Sequence, residues 1–406
     1  MDRRTLLKLL AATAVSGCGP QATDNKAPRV VVAGAGIVGA SIAYHLALAG
    51  ASVTIIDKQA PASHASRGTF AWINATWAKQ PRSYHSLSQD SVAYWHKLQR
   101  ALDLPVRWSG SLEWFTDSER QNKLANQIEE QIAWGEPARM LDASEFSELE
   151  PKVVFSPNST AAYSANDGTV DPVLATQKLL AAAEALGASI RYPSELMAAT
   201  LTNGRLIAVE TSNGTVVADR LVLATGAAEN ILGEIANVEI PQRSTPGVIV
   251  ITKPMPRILQ RIISAPGVHM HQRDDGRIVL GEQDGAPQNE AHALRLGARP
   301  NDFPSPLIAQ EHAARMLAVA TEFAPEIGAA EAEHVYIGWR PLPLDGHPVV
   351  GPSPNRPDVY VAVMHSGVTL APIVGQRVAR EILTETSDYS LEPYRPDRSF
   401  TMIKRY

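Results

Sequence analysis

The chain holds one cysteine in 406 residues, Cys18, so it forms no internal disulfide and no cysteine-based metal centre. Positive charge is not in excess. The formal net charge is −5, and beyond the N-terminal leader there is no basic run and no basic stretch interleaved with aromatics, which argues against a nucleic-acid partner. There is no internal repeat and no low-complexity tract, and the leader's apolar run falls short of the roughly 20 residues that cross a bilayer. What remains is an ordinary globular composition, 45% hydrophobic and 19% charged. The length suffices for two domains, or one elaborate one, around a large core.

The first 20 residues, MDRRTLLKLLAATAVSGCGP, have the layout of a cleaved export signal: a charged start, a short apolar stretch broken by Lys8, then small residues. Arg3-Arg4-Thr5-Leu6-Leu7-Lys8 resembles the twin-arginine motif, whose substrates cross the membrane folded. Val15-Ser16-Gly17-Cys18 resembles a bacterial lipobox, in which Cys18 becomes the lipidated first residue. Residues 19–27 form a polar tether. The expectation is a protein of the bacterial cell envelope, on the extracytoplasmic side, touching the membrane through a lipid anchor only.

Arg29 to Lys58, RVVVAGAGIVGASIAYHLALAGASVTIIDK, organises the rest. A β-branched run suits a buried parallel strand. A turn on Gly34-Ala35-Gly36-Ile37-Val38-Gly39 leads into an alanine-rich helix, and a second strand ends on Asp57. Gly34 permits the tight turn, Gly36 lets backbone approach a pyrophosphate, and Gly39 lets helix and strand pack closely. The helix N-terminus faces phosphate charge, and Asp57 is placed to bond a ribose diol. Strand, glycines, helix, strand and acid in this order specify a dinucleotide site, with NAD and FAD equally open.

Downstream, a loop of small and hydroxyl residues (Ser63 to Thr69) gives way to a segment with Trp72, Asn74 and Trp77. Helices are expected over 83–103 and 118–134, a strand over Val106 to Phe115, and a short helix after the cap-like Asp142. Asp171-Pro172 caps a helix from Val173 to Leu186. A small antiparallel addition follows, and the strand Val216 to Leu223 runs into a Thr225-Gly226 turn. Residues 240–334 read as strands punctuated by Pro and Gly, with a helix at 305–320. His365-Ser366-Gly367 opens a last helix running to about Thr384. The fold class is α/β: a Rossmann-like cofactor domain, discontinuous in sequence (28–82, 151–238 and 335–406), and a second domain on an antiparallel sheet (83–150 and 239–334).

Four motifs stand together: the fingerprint at Gly34–Asp57, Gly168-Thr169-Val170-Asp171-Pro172, Thr225-Gly226, and Arg340-Pro341…Asp345-Gly346…Pro348…Gly351 with His365-Ser366-Gly367. In combination they resemble the superfamily of flavoproteins that contains D-amino-acid oxidase, glycine oxidase and sarcosine oxidase. The resemblance covers Pro28 to about Leu383 and implies FAD. Gly34, Gly36, Ile37, Val38, Gly39 and the Asp57-Lys58 pair would bind its ADP half. Ser63, Ala65, Ser66 and Arg67 would meet the pyrophosphate and flavin edge, Leu196 the adenine, and Thr225-Gly226 the pyrophosphate. Gly367, Val368, Thr369 and Leu370 would meet the pyrimidine end, where a helix N-terminus stabilises the anionic reduced flavin. Ala71 stands where histidyl-flavin relatives carry the attachment residue, so FAD is expected to be noncovalent.

The resemblance assigns Arg340 to the substrate carboxylate, a role that suits a fork-shaped, permanently charged guanidinium. His269 and His271, spaced i, i+2, share one face of a strand. Two readings stand level: pocket residues bonding the amine or carboxylate, or exposed strand histidines. A metal reading lacks a third ligand, and none is expected. His365 is read as a structural neighbour of the cofactor. The implied reaction oxidises the C–N bond of a small amino acid or N-methyl amino acid by hydride transfer to flavin N5, with oxygen or a membrane quinone taking the electrons. A nicotinamide-dependent dehydrogenase and a noncatalytic envelope flavoprotein are the alternatives.

Overall fold

The computed structural model describes residues 27–76, 79–282, 303 and 305–402; the leader with Cys18, and Trp77, lie outside the described residues. The strand Arg29–Ala33 lies inside a six-stranded sheet, with Val30, Val31, Val32 and Ala33 all buried, as befits a strand covered on both faces. Across the sheet the order is Val349–Pro352, Val359–Val363, Arg220–Leu223, Arg29–Ala33, Ser52–Ile56 and Ser189–Arg191. Every pairing is parallel except that of Val349–Pro352. Helix Ile37–Leu48 connects the first two strands of the chain. It is apolar on all sides and accordingly buried on nearly all of them, against helices Pro172–Ala185 and Gly367–Thr384. Asp171 caps Pro172–Ala185 by accepting from Val173 N at 3.0 Å and Leu174 N at 2.9 Å.

The second layer is an eight-stranded sheet in the order Ala332–Pro343, Gln242–Thr252, Ile278–Glu282, Val268–Gln272, Ile262–Ala265, Ser111–Glu113, Ala161–Ser164 and Ala138–Leu141. It is antiparallel apart from one parallel pairing, Ile262–Ala265 with Ser111–Glu113. Register divides it into two faces. Leu112, Ile263, Met270, Leu280, Val250 and Val335 align in one row and join a core that includes helix Pro306–Phe323. The next row, Glu113, Ser264, His269, Gly281, Ile249 and Tyr336, belongs to the opposite face, where the site lies.

Four features differ from the sequence reading. Val216 to Leu223 is not one strand: Gly214–Val217 closes a three-stranded antiparallel sheet, and Arg220–Leu223 belongs to the six-stranded one. Val106 to Phe115 is two strands, Val106–Trp108 and Ser111–Glu113, in different sheets. Gly110 separates them at φ 72°, where a side-chain carbon would stand 2.8 Å from the Ser164 carbonyl oxygen. The segments 151–238 and 335–406, read as cofactor domain, each lend a strand to the eight-stranded sheet, Ala161–Ser164 and Ala332–Pro343 respectively. A helix at Glu229–Ala236 was not anticipated.

Candidate active site

A cleft of about 410 Å³ opens at the carboxyl ends of Arg29–Ala33, Ser52–Ile56 and Arg220–Leu223, the ligand position of open parallel sheets. Gly34 holds φ 107°, and a side-chain carbon there would run into the Ala224 carbonyl, so the glycine turn and the Thr225-Gly226 turn are packed together. At Gly39 the obstacle would be the Gly34 carbonyl. Asp57 braces the turn, accepting from Ala35 N at 2.7 Å and Gln59 N at 2.9 Å. Ser66 Oγ accepts from Ile37 N at 3.0 Å, at the mouth of the helix. Thr225 Oγ1 is buried and has no hydrogen-bond partner among the described residues. A helix N-terminus, a glycine cradle, an acid at the strand end and a buried hydroxyl awaiting a partner together fit a dinucleotide diphosphate.

A second cavity, about 210 Å³, adjoins the cleft; the two share Ala65, Thr69, Pro341, His365 and Val368 in their walls. Its own walls include Phe70, Trp72, Ile249, His269 and Arg340, with two further charged residues, Lys79 and Glu282, the latter paired with Arg315. Arg340 comes from Ala332–Pro343, and among the described residues no carboxylate pairs with it. Its guanidinium lies over Gly247, where an added side-chain carbon would stand 2.7 Å from Nη2 and 2.8 Å from Nε. His269 meets Trp72 edge-on at 5.8 Å and Phe70 at 5.5 Å between ring centroids. Burial, with the positive charges of Arg340 and Arg120, pushes its proton affinity down to about 3, so it is a neutral imidazole at physiological pH. Its Nε2 is buried without a partner among the described residues.

Behind these walls stand two buried acids. Asp167 accepts from Trp72 Nε1 at 2.9 Å and Ser111 Oγ at 2.7 Å; burial pushes its pKa up to about 6. Glu113 accepts from Ser264 Oγ at 2.8 Å, and burial pushes it up to about 8. In the wall of the second cavity itself, the buried Lys79 reaches Ser366 Oγ at 3.3 Å, and Tyr84 donates to the same oxygen at 2.8 Å.

Gly34, Gly36, Ile37, Val38, Asp57, Lys58, Ser63, Ala65, Ser66, Leu196, Thr225, Gly226, Gly367 and Val368 all line the cleft. Arg340 and His269 line the adjoining cavity, as does Thr369, whose hydroxyl donates to the Trp72 carbonyl at 3.2 Å. Four candidates line neither. Gly39 is buried in helix packing, and Leu370 faces the core. Arg67 lies over the Tyr336 ring at 4.6 Å. His271 is buried, its Nε2 3.2 Å from the Phe70 carbonyl oxygen. The sequence reading missed Gly247, Phe70, Lys79 and Asp167 as contributors. Gly247, a glycine inside a strand, carried a usable signal, since such a residue marks a close approach.

Fold and site thus define an α/β protein with a dinucleotide cleft opening onto a small cavity on an antiparallel sheet. A family model described as FAD dependent oxidoreductase (DAO) matches residues 29–381. The chain belongs to that family, and its cofactor is FAD. It is 28% identical over 397 residues to the uncharacterized oxidoreductase YurR of Bacillus subtilis, covering 90% of this chain and 98% of that protein. To the glycine oxidase of Geobacillus kaustophilus it is 24% identical over 376 residues, covering 90% and 95% respectively. The solved structure of L-proline dehydrogenase from P. horikoshii matches with a TM-score of 0.77 at 23% identity, over 91% of this chain and 97% of that one.

Proposed function

We propose that the protein oxidises the C–N bond of a small amino acid or N-methyl amino acid, of the D-amino-acid, glycine or sarcosine type, with FAD held noncovalently. The observation that carries this is Arg340, a guanidinium with no carboxylate partner among the described residues, in the wall of a small cavity adjoining the cofactor cleft. The glycine turn, Asp57, Ser66 and Thr225 would hold the nucleotide half of the cofactor, and Gly367 and Val368 the flavin half. When bound, FAD supplies the acceptor for a hydride leaving the carbon beside the amine, the electrons passing to oxygen or a membrane quinone while the imine hydrolyses to an oxo acid. Arg340 fixes the carboxylate bidentately, and orientation supplies much of the rate. Phe70, Trp72 and Ile249 exclude water, which favours the neutral amine. His269, uncharged, offers Nε2 to an amine N–H and adds no charge that would repel it. Noncovalent attachment is supported by Ala71 beside Phe70 and by a single cysteine, in the leader.

We propose further that the leader sends the protein, already folded, to the envelope, where a lipid on Cys18 holds it at the membrane. Arg3-Arg4 and the lipobox-like Val15–Cys18 support this. Among the described residues no helix is long and apolar enough to cross a membrane.

The test is anaerobic mixing of the yellow protein with glycine, D-amino acids, sarcosine and related N-methyl compounds, with Arg340→Ala alongside. At least one compound should bleach the flavin. The variant should keep its FAD and lose about 10- to 150-fold in kcat/KM, the equivalent of about 1.5–3 kcal/mol for a hydrogen bond to a charged group. If no compound bleaches the flavin, the proposed substrate class is wrong; if Arg340→Ala sheds FAD, the arginine serves the cofactor.

A further inference from the structure

We infer that Asp167 is a positioning residue for the reaction, a buried carboxylate that fixes the indole of Trp72 as a wall of the cavity. The inference rests on reading that cavity as the substrate site.

Asp167 sits in the turn between strands Ala161–Ser164 and Gly168–Val170, at the junction of the eight-stranded sheet with the small sheet Trp72–Ile73, Gly168–Val170 and Val106–Trp108. Its residue surface is wholly inaccessible. Among the described residues no cation pairs with it; its partners are four neutral donors, two from residues 72–76, one from Ser111 and one from Ser164 in its own turn. Oδ2 accepts from Trp72 Nε1 at 2.9 Å and Ser111 Oγ at 2.7 Å. Oδ1 accepts from Ser164 Oγ at 3.1 Å, and Thr76 Oγ1 approaches the two oxygens at 3.4 and 3.3 Å. A buried carboxylate without a counterion is costly unless its lone pairs are filled. Here they are, by one indole N–H and three hydroxyls; an asparagine would offer the indole a neutral acceptor in place of a charged one, and the hydroxyls facing its NH₂ would have to reverse and accept.

One of those donors, Trp72, is itself in the cavity wall, while Asp167 is not. The Trp72 carbonyl is held at its other side by Thr369 Oγ1, at the start of the helix that meets the cofactor cleft. The indole is therefore pinned at its ring nitrogen from the substrate-sheet side and at its backbone from the cofactor side. Rotating it would strand a donor and leave the buried carboxylate short of a partner. Its edge-on contact with His269 makes two cavity walls depend on one fixed ring.

The experiment compares Asp167→Asn, Trp72→Phe and the double variant as FAD-loaded protein. Trp72→Phe keeps a ring and deletes only the N–H donor and the indole's second ring. Three readouts are taken: FAD content, kcat and KM on the best substrate, and the change in the flavin spectrum on titration with acetate, a carboxylate lacking an amine. Each single variant should keep its FAD and lose about tenfold or more in kcat/KM, with the acetate titration altered in both. The double variant should be no worse than the weaker single variant, because both changes act on one contact: Asp167→Asn removes the charge of its acceptor and Trp72→Phe removes its donor. Multiplicative losses, or wild-type kinetics and titration in Asp167→Asn, would overturn the inference. Should Asp167→Asn fail to fold, Trp72→Phe decides: unchanged KM, kcat and acetate titration would equally refute it. A wild-type protein that no panel compound reduces, yet whose acetate titration shifts in both variants, points instead to failure of the substrate reading.

Discussion

Gly247→Ala tests the proposed carboxylate site without replacing a charged group. Gly247 lies in strand Gln242–Thr252, opposite Gly338. An added methyl would stand 2.7 Å from Arg340 Nη2, 2.8 Å from Nε and 3.1 Å from Cζ. Ordinary non-bonded contact is about 3.5 Å or more, so the guanidinium must retreat by roughly 1 Å. All three nearest atoms belong to the end of a long, flexible side chain, none to backbone, so the strand can accept the methyl while the arginine gives way. A misplacement of about 1 Å in a positioned reaction costs on the order of 100-fold, and loss of one arm of the charged pair alone costs about 10-fold. We expect kcat/KM for a carboxylate-bearing amine to fall about 10- to 100-fold, with FAD content and Tm near wild type. An amine of the same skeleton lacking the carboxylate should be hardly affected, so the ratio between the two substrates collapses. Steady-state kinetics on the pair, with the flavin absorbance ratio as a folding control, measures this. An unchanged ratio in a folded, FAD-loaded variant would refute the assignment of Arg340 to the carboxylate.

Two further outcomes follow from other parts of the chain. Glu113, buried, has its pKa pushed from 4.5 up to about 8, mainly by desolvation. Between those values the folded state keeps a proton the unfolded state has released, so stability falls as pH rises, by about 3 kcal/mol by pH 7 before relaxation is allowed for. Glu113→Gln keeps an acceptor for Ser264 and has no proton to lose. Its Tm advantage over wild type should be nil near pH 4.5 and grow to pH 8; parallel Tm curves would show that Glu113 ionises freely. In the leader, Cys18→Ala should move the protein from the membrane fraction to the soluble fraction of the producing bacterium, leaving its flavin spectrum unchanged. Wild-type protein that fractionates as soluble removes the anchor from the proposal.

What was legible in the sequence is what obeys local rules. Asp171-Pro172 caps its helix through its own near neighbours, and Asp142 closes a capping box with Glu145 three residues on. The glycine turn at Gly34–Gly39 needs only its adjoining strand and helix to be recognised. Single residues slipped even there. Leu370, three positions beyond Gly367, faces the core while Gly367 lines the cleft, and Arg67, next to Ser66, leaves the cleft for the Tyr336 ring. Which side a helix or loop residue takes depends on what packs against it, and that partner is remote in sequence.

The proposed substrate side is remote in this sense. Gly247 makes room for an arginine in the neighbouring strand, yet nothing near Gly247 announces Arg340. Gly68 and Gly338 meet backbone to backbone, a side-chain carbon on Gly68 standing 2.6 Å from Gly338 Cα, and this contact joins the cofactor loop to the substrate sheet. Asp167 reads locally as a turn residue after Asn166, with Ser164 in reach, and its remote donors Trp72, Thr76 and Ser111 emerge only when two sheets are brought together. His269 shares a face with His271 by simple alternation, but pairing with Ser264 and Gly281 is what sets it in the row that faces the cavity. A register shift of one residue would carry that row to the opposite face. The cofactor cleft of this protein is therefore written largely in contiguous motifs, and the adjoining cavity in strand register, which no short stretch of sequence contains.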